Sequence, residues 1–261
     1  KGDIVTIYLP MIPEAITTTL AVARLGATHC IVFSGFSANA LKDRIEDTKS
    51  KFLITTNTAF YRGKQIDLKS VANQAVSDLL FVEKIITIQR NQNDIKIHNN
   101  RNIIYDPTKN HTQKYIDACS VESNHPLFIL YTSGTTGKPK GIVHSTGGYL
   151  TYVYSTIKWA FNINKDSIYW CTADIGWITG HSYVIYGPMM HGATIYIREG
   201  APDFPNQSSW WQAIEKHKIS IFYTSPTALR MFIKMGNDHI LKYDLNSLKV
   251  LGSVGEPINP E

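Results

Sequence analysis

The sequence has no uninterrupted apolar run of about 18 residues, so no helical span across a membrane is expected. Cysteine is scarce: Cys30, Cys119 and Cys171 are far apart, odd in number and never paired as CxxC. Neither a disulfide framework nor a zinc site is supported, and a reducing compartment is the expectation. The nine histidines include no HxxxH pair, so no metal centre built from protein side chains is expected. Basic residues are not clustered. Lys and Arg total 26 against 21 Asp and Glu, a scattered excess of +5. That balance suits phosphorylated small molecules and argues against nucleic acid. No charged leader precedes an apolar stretch, so no signal peptide is visible. The chain opens on Lys1 rather than Met, which reads as a piece of a longer protein.

What is present is an ordinary globular mix, 43% hydrophobic and 18% charged, which excludes a disordered chain. At roughly 100–200 residues per domain, 261 residues make one large domain or two small ones. Short apolar, β-branched runs alternate with helical periodicity. Strands are expected at 3–9, 29–33, 52–56, 84–89, 127–132, 167–172, 194–198, 219–223 and 248–253. Helices are expected at 15–25, 37–50, 67–80, 147–161, 182–190, 209–218 and 226–235, with Pro13 suited to a first turn and Gly26 to a stop. In the helix at 37–50, Leu41 and Ile45 share an apolar face, while Lys42, Asp43, Arg44 and Glu46 lie largely off it. The Asn-rich stretch 90–102 reads as a surface loop or irregular hairpin, and a second polar connection follows Asp106-Pro107. The fold class is α/β, with layered, parallel-rich sheets covered by helices. A division near Pro126 is expected, giving subdomains 1–125 and 126–261, with ligands at the carboxyl ends of strands.

The most informative segment is YTSGTTGKPKG at residues 131–141, directly after an expected strand. Glycines such as Gly134 and Gly137 let backbone N–H groups curl around an anion. Thr132, Ser133, Thr135 and Thr136 can donate to phosphate oxygens, and Lys138 and Lys140 can neutralise charge. The segment is not a Walker loop: Gly134 and Gly137 are only three apart, and Pro139 follows Lys138 where Ser or Thr would stand. It is a different phosphate device.

This loop resembles the signature of the acyl-adenylate-forming (AMP-binding) superfamily. Further stretches are similar to the acetyl-CoA synthetase (acetate–CoA ligase) family within it. They are WCTADIGWITGHSYVIYGP at 170–188, FYTSPTALR at 222–230, LGSVGEPINP at 251–260, YLPMIPEA at 8–15 and VFSGFS at 32–37. The resemblance covers nearly the whole chain and is weakest between about Arg90 and Asn124. It implies the greater part of that family's large N-terminal domain, without the small C-terminal domain, and a cytoplasmic setting with a nuclear or mitochondrial one left open. It implies two half-reactions. Acetate attacks the α-phosphate of ATP to give acetyl-AMP and pyrophosphate, and the thiol of CoA then releases AMP as acetyl-CoA forms. Its implied cofactors and substrates are ATP, Mg²⁺, CoA and acetate.

By the same resemblance, Thr132, Ser133, Gly134, Thr135, Thr136, Gly137 and Lys138 cradle phosphates, and Gly255, Glu256 and Pro257 line the adenine. Trp177, Ile178, Thr179 and Val254 line the acyl pocket, with Thr179 also facing CoA. Lys64 and Arg62 meet the phosphate end of CoA, and Asp203 lies on the CoA side. Within these residues no protein nucleophile, catalytic side chain or metal ligand is implied, the family's catalytic lysine and acidic Mg²⁺ partner belonging to later motifs, and His181 and His144 read as positional. Two departures stand out. The family carries two basic residues three apart where this chain has Tyr61-Arg62-Gly63-Lys64, so Arg62 would act only through a one-residue shift. Asp203 stands where Asn is common, and a carboxylate there would repel phosphate unless the contact differs. The alternatives are a propionate or other short-chain acyl-CoA synthetase, an ADP-forming phosphotransferase, and a non-catalytic nucleotide- or CoA-binding module. The 261 residues alone are expected to lack acetate-dependent pyrophosphate exchange.

Overall fold

A computed structural model describes residues 1–91, 100–106, 108, 115–132 and 139–258. The chain folds as two compact units, residues 1–60 with 65–149 and residues 61–64 with 150–261. Among the described residues no helix is long and apolar enough to cross a membrane.

The first unit opens on β1 (Ile4–Tyr8), α1 (Pro13–Arg24), β2 (Thr28–Ile31), α2 (Ala38–Thr48) and β3 (Phe52–Thr56). A hairpin follows, β4 (Thr58–Tyr61) and β5 (Lys64–Asp67), and then α3 (Leu68–Ala75), β6 (Lys84–Ile88), β7 (Asn102–Tyr105), β8 (Pro126–Thr132) and β9 (Lys140–Ser145). Seven strands make one sheet in the order β7-β6-β3-β1-β2-β8-β9, parallel except for the antiparallel pair β8–β9. The chain steps one way from β1 to β2 and the other way from β2 to β3. Right-handed crossovers therefore place α1 on one face and α2 with α3 on the other. The second face is filled by Leu41 and Ile45 of α2 and Leu68 and Ala72 of α3, packed with Tyr8, Cys30, Leu53 and Ile85. Ser37 caps α2 and Asp67 caps α3, each side chain accepting a backbone N–H three residues on.

The second unit continues from α4 (Thr146–Phe161) into β10 (Ile168–Cys171), α5 (Ile178–Gly180), a π-helical segment His181–Tyr186 and α6 (Gly187–Met190). It ends with β11 (Thr194–Ile195), α7 (Ser209–His217), β12 (Ile221–Thr224), α8 (Pro226–Met235) and β13 (Val250–Ser253). The sheet runs β11-β10-β12-β13, all parallel. Its core is aromatic. Trp170 packs against Trp210 at 5.2 Å and Phe222 at 5.1 Å between ring centres, and Trp211 against Phe232 at 5.0 Å.

The α/β class holds, and the strand 52–56 and the helix 226–235 fall on the expected residues. Four strands were not expected: β4, β5, β7 and β9. All residues of β5 are exposed, and β9 exposes both Ile142 and Val143, so neither shows the alternation of a half-buried strand. The helix expected over 67–80 stops at Ala75. Val76, Leu79 and Val82 keep helical spacing and are buried, but through turns rather than α-helix. Arg101 holds these turns, donating to the carbonyls of Leu79 (2.9 Å), Val82 (3.3 Å) and Val76 (3.4 Å). Of the stretch 90–102, residues 92–99 lie outside the described residues; at its end β7 pairs parallel to β6, and Asn102 accepts a bond from the buried Lys69. The two strands after Pro126 complete the sheet of the first unit, and the units divide after Tyr149.

Trp170→Ala should lower the unfolding free energy by about 3–5 kcal/mol, because the neighbouring rings cannot collapse into the space left. A shift of the urea midpoint at unchanged slope checks this.

Candidate functional site

Parallel sheets present the segments that follow their strands along one edge, and Thr132, Trp177, Ile178, Thr179 and Val254 lie at or just after strand ends. In the first unit, Thr132 ends β8 and pairs across to Lys140 of β9. Thr132, Pro139 and Lys140 are exposed, and Ser133, Gly134, Thr135, Thr136, Gly137 and Lys138 lie outside the described residues. His144, also on β9, lies flat on Phe128 at 4.3 Å, and burial lowers its pKa, so it is a packing residue.

In the second unit, β10 leads into Asp174–Thr179, β12 into Ser225 and α8, and β13 into Val254–Pro257. The sheet reverses its direction of winding at β10, so its switch point lies beside β10 and β12, where open α/β folds take ligands. Thr172 and Thr224 share a hydroxyl–hydroxyl bond of 2.7 Å at these two strand ends. Trp177 is 51% exposed and Ile178 42%, both at the start of α5, with Thr179 half-buried. Val254 is half-buried, its N–H donating to Thr224 at 3.0 Å.

The backbone under Trp177 is tightly drawn. A Cβ on Gly180 would fall 2.1 Å from the Asp174 carbonyl oxygen and 2.5 Å from Ile175 Cα, so only glycine fits. His181 is fully buried, with ring Nδ1 2.9 Å from the Trp177 carbonyl, which suits a residue that holds the helix start. Cys171 is buried and its thiol pKa is pushed up to about 12, so it is no nucleophile at neutral pH.

Gly255 has φ +91°, and its Cβ position meets open space. Glu256 beside it accepts from Thr227 at 2.7 Å and from Arg230 at 3.2 Å, while Arg230 also donates to the Pro257 carbonyl at 3.2 Å. Helix α8 thus straps the 255–257 segment in place. Thr227 and Arg230 were not candidates from sequence. Their spacing of three on a helix opened by Pro226 was the available signal.

The β4–β5 turn is made by Arg62 (φ +48°) and Gly63 (φ +76°), as a two-residue hairpin loop requires. Arg62 pairs with Asp203 at 2.9 Å, and Lys64 is exposed. The two departures noted in the sequence are therefore partners: Arg62 neutralises the carboxylate expected to repel. Arg198 fixes the segment that carries Asp203, donating to the carbonyls of Ser209 (3.2 Å) and Phe204.

Among the described residues no group of three or more His, Cys, Asp or Glu is placed to hold a metal ion. One carboxyl was overlooked. Asp174 is half-buried, and desolvation of its carboxyl raises its pKa from 3.8 to about 6, against the opposing pull of the Gly176 N–H at 2.7 Å. The folded state holds this proton more tightly than the unfolded chain, so the group's contribution to stability falls as pH rises from about 4 to about 6. Asp174→Asn should remove that loss and raise stability at pH 7 by about 1–3 kcal/mol relative to the parent. The gain should vanish below the unfolded-state value of 3.8, as thermal unfolding of both proteins across pH would report.

The family model described as "AMP-binding enzyme" matches residues 1–261. Over 260 residues the chain is 48% identical to an acetyl-coenzyme A synthetase of Rubrobacter xylanophilus, covering all of this chain and 40% of that protein. Over 264 residues it is 51% identical to an acetyl-coenzyme A synthetase of Pyrobaculum aerophilum, covering all of this chain and 39% of that protein. A solved structure of acetoacetyl-CoA synthetase from Streptomyces lividans superposes on 99% of this chain and 39% of its own, with a TM-score of 0.90 and 26% identity. The chain spans about two fifths of the length of these curated relatives. Sheet order, the strand-end segments and a match over every residue lead to one conclusion: the chain belongs to the AMP-binding enzyme family.

Proposed function

We propose that the full-length protein carrying this chain is an AMP-forming acetate–CoA ligase. The observation that carries the reading is near-50% identity over the whole chain to proteins named acetyl-coenzyme A synthetase. The geometry supports it. Adenylation needs charge neutralisation and in-line positioning rather than a protein nucleophile. Lys140 is exposed in the first unit and Lys64 in the second, while Cys30 and Cys171 are buried thiols.

In this reading the acetate carboxylate attacks the α-phosphate of ATP, and pyrophosphate leaves. Residues Thr132, Ser133, Gly134, Thr135, Thr136, Gly137 and Lys138 hold the β- and γ-phosphates. Mg²⁺, when bound with ATP, would supply further neutralisation of phosphate charge beside that of Lys138. The adenine lies over the open backbone at Gly255, beside Glu256 and Pro257. Trp177, Ile178, Thr179 and Val254 shape an apolar wall for the acetate methyl group. CoA then attacks the mixed anhydride through its thiol, and AMP leaves. Thr179, Lys64 and Arg62 face CoA, with Asp203 holding the Arg62 guanidinium.

The full-length protein should show acetate-dependent ATP–pyrophosphate exchange and release AMP. Formation of ADP would make it a phosphotransferase, binding of ATP without turnover would make it a non-catalytic module, and higher kcat/KM for propionate would change the substrate. Lys64→Ala should raise the KM for CoA by about 3- to 10-fold and leave the exchange reaction unchanged, since CoA enters after adenylation. Asp203→Asn should free Arg62 and lower the KM for CoA by about two- to threefold, the modest effect of an ion pair open to solvent on its Arg62 side.

A further inference from the structure

We propose that Asp47 and Arg44 of α2 are positioning residues for the phosphate loop, acting through Tyr131, the residue before Thr132. This rests on the reading of residues 132–138 as the phosphate cradle. The Tyr131 hydroxyl donates to Asp47 Oδ2. One turn earlier on α2, the Arg44 guanidinium sits between two rings, 4.8 Å from the centre of Phe36 and 5.2 Å from that of Tyr131. It donates to the Ala40 carbonyl at 2.6 Å. Arg44, which the sequence pattern put off the apolar face, is in fact only 9% exposed.

Tyr131 also lies across β9. It stands opposite Gly141, where a Cβ would come within 3.2 Å of Tyr131 Cζ and 3.3 Å of its hydroxyl oxygen. The last glycine of the signature therefore makes room for this ring and for Ile129, whose Cγ2 would lie 3.1 Å away. A cavity of about 460 Å³ beside α2 is bounded by Asp47, Arg44 and both Tyr131 and Pro139, one residue from each flank of the loop. Burial, with Asp47 next, holds the Tyr131 hydroxyl far above its ordinary pKa, so it stays a donor throughout the working pH range.

A strand end held only by its antiparallel neighbour frays. A hydrogen bond from a helix on the covered face fixes where the loop leaves the sheet, and small misplacements of binding groups cost rate steeply. The ring of Tyr131 packs on the core without needing its hydroxyl, so the bond to Asp47 is separable from folding.

The test uses the full-length protein, steady-state pyrophosphate exchange and thermal unfolding. Tyr131→Phe and Asp47→Ala should each raise the KM for ATP about tenfold, with the KM for acetate and the Tm unchanged. The double variant should be no worse than either single one, because both remove one bond. Asp47→Asn, whose amide oxygen still accepts, should recover most of the loss. An unchanged KM for ATP, or a rise matched by a fall in Tm, would overturn the proposal. Lys138→Ala separates the two readings. If it abolishes exchange while Tyr131→Phe changes nothing, the anchor alone fails; if it changes nothing, the phosphate-loop reading fails.

Discussion

A strand that lies parallel to its neighbour cannot return through a tight turn. It must cross over the sheet, and every segment leaving a strand's carboxyl end then emerges along the same edge. The second sheet obeys this constraint throughout, and the first obeys it everywhere but at β9, which returns antiparallel to β8. In the first unit it brings out the residues after Thr132, and in the second it brings out Trp177, Ser225 and Val254 from three adjacent strands. Residues far apart in sequence reach one edge because the hydrogen-bond ladder leaves them no other. The hairpin turn at Arg62 is the exception, held through its ion pair with Asp203.

Burial decides which groups remain chemically active. The thiols of Cys30 and Cys171 are both pushed up to about 12, and so is the Tyr223 hydroxyl. None is a base or nucleophile at neutral pH. What remains at the strand ends are fixed charges, hydroxyls and backbone groups, held by neighbours such as Arg230 and Arg198. Such an edge can act on a ligand only by placing partial charges and shape around it.

Sequence periodicity located most of the strands and helices, because in βα units a buried strand or an amphipathic helix leaves its mark in the residues themselves. It failed where burial comes from elsewhere. Strand β7 is recruited by pairing to β6, and Arg101 is structural because three carbonyls converge on it, neither of which local pattern encodes. Helix α3 was overrun because Val76, Leu79 and Val82 keep a helical rhythm in turns. For the site, the reading of residues 132–138 as a phosphate loop rests on composition and setting, whereas most of the other candidates came through family resemblance. The partnership of Arg62 with Asp203, some 140 residues apart, and that of Tyr131 with Asp47 were not legible, since each is a tertiary coincidence of ordinary surface residues.

The pairing of Thr132 with Lys140 has a consequence for the loop between them. The strand ladder closes the ends of residues 133–139 whatever their number. Closure entropy grows so slowly with length that even a doubling costs only about 0.6 kcal/mol. One inserted residue would thus leave folding almost untouched, yet carry a binding group along the chain by up to about 3.6 Å. Loop length between these two strands is therefore nearly free of the stability of the fold.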